Sequence, residues 1–189
     1  MLTNIDVSTN SNLTLLAVDR NSLFSLDVST NNNLINLNCF SNQLTTLDVS
    51  NNSALTELFC WENQLTMLDV TNNSNLIKLL CNSNQLTNLD VRNGNNTNIN
   101  DYAFSTANNT NLYCINVDDA AWATTNWPDI DSQHYFSNNC PPSAIQEHTT
   151  NKELHKITDI LGRETKVSKN KPLFYIYDDG TVEKRIVIE

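Results

Sequence analysis

Five leucines, Leu2, Leu23, Leu44, Leu65 and Leu86, stand 21 residues apart, and no other feature of the chain restricts its fold as tightly. Within each interval a second leucine opens a similar half, at Leu13, Leu34, Leu55 and Leu76. Both halves obey one rule, L-x-x-L-x-(V/C)-x-x-N. Thus LTTLDVSNNSALTELFCWENQ, from Leu44 to Gln64, is followed directly by LTMLDVTNNSNLIKLLCNSNQ. In a strand, residues four and six of a half face one way and residues three, five and seven the other. Leu47, Val49, Leu58 and Cys60 therefore point inward. One coil cannot bury such residues alone, whereas coils stacked at ~4.8 Å share a continuous core. The expected fold class is mainly β, a solenoid with strands on two sides of each coil.

Composition alone misleads here. Only 39% of residues are hydrophobic and glycine occurs three times, a polar profile that could belong to a disordered chain; the leucine period outweighs it. The net charge of −10 argues against nucleic acid as a partner. No apolar run approaches the ~20 residues of a membrane span, so membrane insertion is not expected. The opening MLTNIDVSTN has neither a basic region nor an apolar one, and Leu2 already begins a repeat. The expectation is a solenoid truncated at its N-terminus, with the signal peptide outside this chain.

Asparagine closes half after half, at Asn10, Asn21, Asn31, Asn42, Asn52, Asn63, Asn73 and Asn84. An amide both donates and accepts, which suits an internal ladder holding the turns better than a polar binding row. Cys39, Cys60 and Cys81 take the inward sixth position, where Val18 stands in the first copy. Packing explains them better than disulfides or a metal, because a one-sided ladder does not converge on an ion. The halves then stretch to thirteen residues before Ile99 and again before Leu112. The last two halves are expected to keep the apolar positions and to lose the asparagine.

The motif resembles that of the leucine-rich repeat family, L-x-x-L-x-L-x-x-N/C-x-L, over about residues 2–119. It is most similar to the nested 21-residue bacterial class, in which both halves of a coil repeat the consensus. The resemblance implies a right-handed solenoid and non-catalytic binding through varied strand positions. The outward positions divide into two faces. One carries Asp6, Asp27, Asp48, Asp69 and Asp90 in a column, where neighbours ~5 Å apart repel by ~1 kcal/mol even in water. A structural stripe is the favoured reading, with Asp27, Asp48 and Asp69 as weak candidates for a cation. The other face varies, and Phe40, Glu57, Phe59, Trp61, Lys78 and Leu80 are the candidate ligand residues. Clustered outward aromatics mark a contact surface, unless a neighbouring segment covers them.

Residues 112–140 form the expected cap, with Trp122, Trp127, Tyr135 and Phe136 covering the last coil. Cys114 and Cys140 are the only cysteines off the ladder, and a disulfide between them is expected; it implies an oxidising, extracytoplasmic location. This segment is also similar to the terminal segment of secreted leucine-rich proteins of the Bacteroidota. Asp118, Asp119, Asp129 and Asp131 read as solvated loop residues. His134, His148 and His155 fall in no metal or catalytic spacing. No nucleophile elbow or phosphate loop occurs, so no enzyme and no cofactor are expected.

CPPSAIQEHTTNK marks a linker, residues 141–152. Beyond it the charge reverses: residues 152–189 hold eight of the 11 Lys+Arg and seven of the 21 acids. Asp179-Gly180 is a favoured hairpin turn between alternating strands. ITDILGRE (157–164), PLFYIYDDGT (172–181) and VEKRIVIE (182–189) resemble the C-terminal sorting domain of type IX secretion cargo. That resemblance places Leu161, Gly162, Arg163, Tyr175, Asp179, Gly180, Lys184 and Arg185 in a sorting segment, residues 153–189, read by the type IX machinery. The other reading of this tail is a small β-module docked on the cap. Residues 1–111 are then the solenoid proper. The function expected is binding of a protein or surface glycan outside the cell; the alternative is a structural spacer or adhesin stalk.

Overall fold

The computed structural model describes residues 1–141, 154–159, 161–166, 172–177 and 182–186. The chain divides into two units, Met1–Ala144 and Ile145–Glu189. The first is built mainly of short strands in two parallel sheets. One sheet runs β1 (Leu15–Ala17), β2 (Asn36–Asn38), β3 (Glu57–Phe59), β5 (Lys78–Leu80) and β7 (Phe104–Ser105). The other runs β4 (Met67–Asp69), β6 (Asn88–Asp90), β8 (Cys114–Asn116) and β9 (Tyr135–Ser137). Leu16 pairs with Leu37, Leu37 with Leu58 and Leu58 with Leu79, so each leucine of the motif lies beside its own copy.

Between the sheets lies one continuous core. Leu34, Leu37, Leu44, Leu55, Leu58, Leu65, Leu76 and Leu79 are wholly buried, together with Cys39, Cys60 and Cys81. Burial drives the thiols of Cys39 and Cys81 up to about 12 and raises Cys60 well above the ordinary thiol range.

The asparagines fall into two ladders with different chemistry. Asn63 Oδ1 accepts from Leu44 N–H at 3.0 Å, and its Nδ2 donates to Cys39 O at 3.0 Å and Cys60 O at 3.1 Å. Asn42 and Asn84 repeat this pattern one coil away. On the other side Asn52 Nδ2 donates to Val28 O at 3.1 Å and Asn31 O at 2.9 Å. There the Oδ1 atoms of Asn31, Asn52 and Asn73 are buried with no partner among the described residues. The reason is local: Leu55 N–H bonds to the backbone oxygen of Asn52 instead. Arg20, Ser41, Glu62, Ser83 and Asn108, each just before a ladder asparagine of the first kind, have φ between 51° and 59°. This left-handed corner costs a non-glycine residue ~1–2 kcal/mol, offset by coil-to-coil bonds such as Ser41 N–H to Trp61 O, 3.0 Å.

Three expectations are corrected. Strand pairing on the aspartate side begins only at β4; the segments around Asp6, Asp27 and Asp48 are not strands. In every coil the N–H two residues past the aspartate bonds to that aspartate's own carboxylate, at 2.9 Å for Ser8, Ser29, Ser50 and Thr71. The strands from β4 onward are joined by valine N–H groups that reach the next coil, Val70 to Asp90 O at 3.0 Å and Val91 to Asn116 O at 2.8 Å. Tyr102 does not take the inward position after Ile99. It is 88% exposed, because a 3-10 turn at Asp101–Ala103 absorbs extra residues and Phe104 pairs with Leu79 instead. The same shift restores an asparagine to that coil: Asn109 accepts from Leu86 N–H at 3.0 Å and donates to Cys81 O at 3.1 Å.

The cap closes the end of this core. Helix α1 (Ala120–Asn126) is capped by Asp119, whose carboxylate accepts from Ala121 and Trp122 N–H. Trp127 stacks on Phe104 at 3.9 Å and donates its indole N–H to Ile99 O at 2.9 Å. Phe136 is buried beside them, whereas Tyr135, expected to cover the last coil, is half exposed at 50%. Cys114 and Cys140 are joined in a disulfide. His134 is buried, its ring nitrogens 3.2 Å from Thr106 Oγ1 and from Asn109 O.

The second unit is an antiparallel sheet of β10 (Leu154–Thr158), β11 (Pro172–Tyr177) and β12 (Val182–Ile186), with β11 central. Leu173 and Tyr175 are buried on β11. After β10 the chain turns at Gly162, φ 77°. Asp159 fastens that turn, accepting from Leu161 N–H at 2.9 Å, Arg163 N–H at 3.0 Å and the Arg163 guanidinium at 2.7 Å. Leu161 stands exposed at its tip. The pairing of Ile176 with Val182 brings β11 and β12 side by side. Asp179, Gly180, His148 and most of the 141–152 linker lie outside the described residues, as do the side chains of Lys184 and Arg185 on β12.

Candidate binding face

The varied face is the outer side of β1–β2–β3–β5. Trp61 lies flat on Phe40, with ring centroids 3.9 Å apart and planes 8° from parallel. Phe59 meets Trp61 edge-on at 5.9 Å. Two cations close the cluster: Arg20 sits 4.9 Å above the Phe40 ring and Lys78 5.1 Å above that of Phe59. Residues from four successive coils thus form one aromatic and cationic column. Attraction of the cations to the rings adds ~0.5–1 kcal/mol each at such exposed sites.

This geometry corrects one candidate. Alternation makes Phe40 an outward ligand residue, but it is only 7% exposed, because the Arg20 guanidinium and the Trp61 ring lie against its ring. Phe59, Trp61, Lys78 and Leu80 remain half-buried, each with part of its surface in solvent. Glu57 is half-buried too; it pairs across the sheet with Lys78 but accepts a hydrogen bond from Asn36 Nδ2. Arg20 is not among the sequence candidates, because it is the eighth residue of its half, beyond the outward positions three, five and seven. Its signal is the aromatic found at position seven one coil later.

Leu80 carries the face onward. It pairs with Phe59 on one side and Ser105 on the other, and with Tyr102 and Asp129 it lines a cavity of about 280 Å³. Next to this lies a cavity of about 470 Å³ that shares Asp101 and Pro128 and reaches Trp122.

The opposite face is occupied by its own structure. Asp6, Asp27 and Asp48 are held below the usual carboxylate range by the hydroxyl and N–H of the serine two residues on. Asp69 accepts from both the N–H and the hydroxyl of Thr71, at 2.9 and 2.7 Å. Burial works against the Asp90 carboxylate, and Arg92 holds it low nonetheless. A groove of about 320 Å³ runs over Asp48, Asp69 and Met67, but no cluster of three metal-ligating side chains occurs among the described residues. No described helix is long and apolar enough to cross a membrane.

The chain is similar to the functional domain of InlJ from Listeria monocytogenes. That domain includes a cysteine ladder; the likeness has 41% identity, a TM-score of 0.47, and covers 61% of this chain and 22% of that one. The chain thus spans less than a quarter of that relative's length. No protein-family model matches the chain, and no curated protein does.

Proposed function

We propose that this chain is a secreted or cell-surface leucine-rich repeat protein of the nested 21-residue class, right-handed, that binds a protein or glycan partner without catalysis. The observation that carries this is the aromatic and cationic cluster of Phe59, Trp61 and Lys78 on the varied face. Half-buried aromatics of this kind anchor contacts because they bury large areas at low entropic cost. The Cys114–Cys140 bond supports an oxidising, extracytoplasmic setting. Residues 1–111 serve as recognition solenoid, 112–140 as its cap, and 153–189 as a sorting segment for type IX export.

A second reading, a spacer or stalk, draws on the burial of Phe40, since the column partly satisfies itself. The two separate in one experiment. Full-length chain, wild type or carrying Trp61→Ala or Phe59→Ala, is applied to an array of surface glycans and extracellular proteins. The binding reading expects at least one ligand retained by the wild type and lost by about ten-fold in the variants, a size typical of an anchor residue. No ligand retained by the wild type favours the spacer, and equal retention by all three chains assigns the binding to a part of the molecule other than Phe59 and Trp61. For the tail, a reporter fused to residues 141–189 reaches the surface only in cells with a working type IX apparatus; equal export without it sinks the sorting assignment.

A further inference from the structure

We infer that the groove between Leu80, Tyr102 and Asp129 holds a neutral saccharide chain, which continues over Asn100 toward Trp122. This deepens the binding proposal and rests on it.

The repeat breaks before β7. Leu58 pairs with Leu79 after a step of 21 residues, but Leu79 pairs with Phe104 after 25. The extra residues build two 3-10 turns, Asn96–Asn98 and Asp101–Ala103. In a stacked-coil protein such insertions emerge as loops on one face, commonly the one that binds. Here the loop holds Tyr102 with 88% of its surface exposed. Its hydroxyl has no hydrogen bond among the described residues, nor does the Asp129 carboxylate or the indole N–H of Trp122. Core packing accounts for neither Tyr102 nor Asp129, both exposed, whereas Trp122 packs edge-on against Trp127 at 5.6 Å and keeps part of its surface in solvent.

Their chemistry matches one ligand class. A pyranose ring has a face of C–H groups that lies on an aromatic ring, and a rim of hydroxyls that needs acceptors and amides in reach. Tyr102 and Trp122 offer the rings; Asp129, Asp101 and Asn100 offer the polar groups. The two cavities, about 280 and 470 Å³, share Asp101 and Pro128, so the path is long enough for more than one ring. Charge selects further. Asp101 and Asp129 flank the groove, no Lys or Arg lines it, and the chain carries −10. Uronic or sulfated glycans are therefore repelled. A folded protein partner needs a broad surface of ~1,000 Å² or more, whereas a polar cleft of a few hundred cubic ångströms suits a narrow chain.

The test is calorimetric titration of the full chain with cellohexaose, xylohexaose, mannohexaose and chitohexaose, and with hexagalacturonate as the anionic control. At least one neutral hexasaccharide should bind saturably, and Tyr102→Ala and Asp129→Ala should each weaken it by about five-fold or more, the size of one stacked ring or charged hydrogen bond. Both positions are exposed, so folding should survive, and Phe24→Ala, exposed but remote, should leave affinity unchanged. Binding of hexagalacturonate alone, of no neutral sugar, or with the same affinity in Tyr102→Ala overturns the inference. A Trp61-dependent protein ligand found alongside no sugar binding overturns the saccharide assignment only and leaves the broader proposal standing.

Discussion

Removing Asn63 should cost far more than removing Asn52, although the two occupy equivalent places in the motif and both are buried. In Asn63→Ala, Leu44 N–H loses its acceptor at 3.0 Å, and two carbonyls each lose one donor. Those carbonyls keep a second donor, from Asn42 at Cys39 O and from Asn84 at Cys60 O, but the Leu44 N–H is left with nothing. Three bonds at ~1 kcal/mol and one stranded buried donor at ~1–3 kcal/mol give about 4–6 kcal/mol. Asn52→Ala also loses two bonds, to Val28 O and Asn31 O. It removes, however, an Oδ1 that is buried without a partner, recovering ~1–3 kcal/mol of that ~2 kcal/mol loss. The cavity left behind is the same size in both, so the difference should be about 3–7 kcal/mol. Urea unfolding of the two full-length variants, followed by tryptophan fluorescence and circular dichroism, reads it directly as a shift in midpoint at constant slope. Equal midpoints would refute the claim that the two asparagine ladders do different work.

Two further outcomes follow from burial and charge. In the native chain at pH 8, iodoacetamide should label no cysteine, since burial raises all three ladder thiols, Cys39 and Cys81 to about 12; thiol titration of the denatured, unreduced chain should then find three. Label in the native state contradicts the buried ladder, and five thiols contradict the Cys114–Cys140 bond. On the acidic face, the folded-state pKa of Asp6, Asp27 and Asp48 is depressed. The stability they contribute is therefore present above the unfolded value of ~3.9 and is lost as pH falls through the lower folded values. Urea midpoints between pH 5 and pH 2.5 should fall less steeply in Asp48→Asn, whose amide oxygen still accepts from Ser50 N–H; an unchanged slope contradicts the assignment.

The stacking direction, the inward leucines and the thiol ladder were legible because a strand has a fixed period and each copy repeats it. The same rule failed where its assumptions lapsed. Alternation puts Phe40 outward, and it does point away from the core, but two side chains from adjacent coils roofed it over. A one-dimensional pattern carries no information about such lateral neighbours. Counting from Ile99 puts Tyr102 inside because rigid leucine spacing does not hold through a stretch that inserts residues. The asparagine spacing carries the true register, since Asn109 makes the bonds that Asn84 makes one coil before. The aspartate column looked like a puzzle of repulsion from sequence; the backbone N–H groups that occupy it are set by turn geometry, which no side-chain pattern records.

Pairing each strand only with its own copy has a consequence for how such a chain changes over time. Leu37 meets Leu58 through contacts indistinguishable from those by which Leu58 meets Leu79. A gene duplication or deletion that adds or removes one whole coil therefore leaves every surviving interface complementary, and the length of the stack is free to drift. The coil carrying Tyr102 and Asp101 is exempt from that freedom. Its lower edge fits the array while its upper edge fits only the cap, through Trp127 and Phe136, so it can be neither copied nor lost without remaking the end of the molecule. A specialised surface placed there stays single, at a fixed distance from the cap, however long the rest becomes.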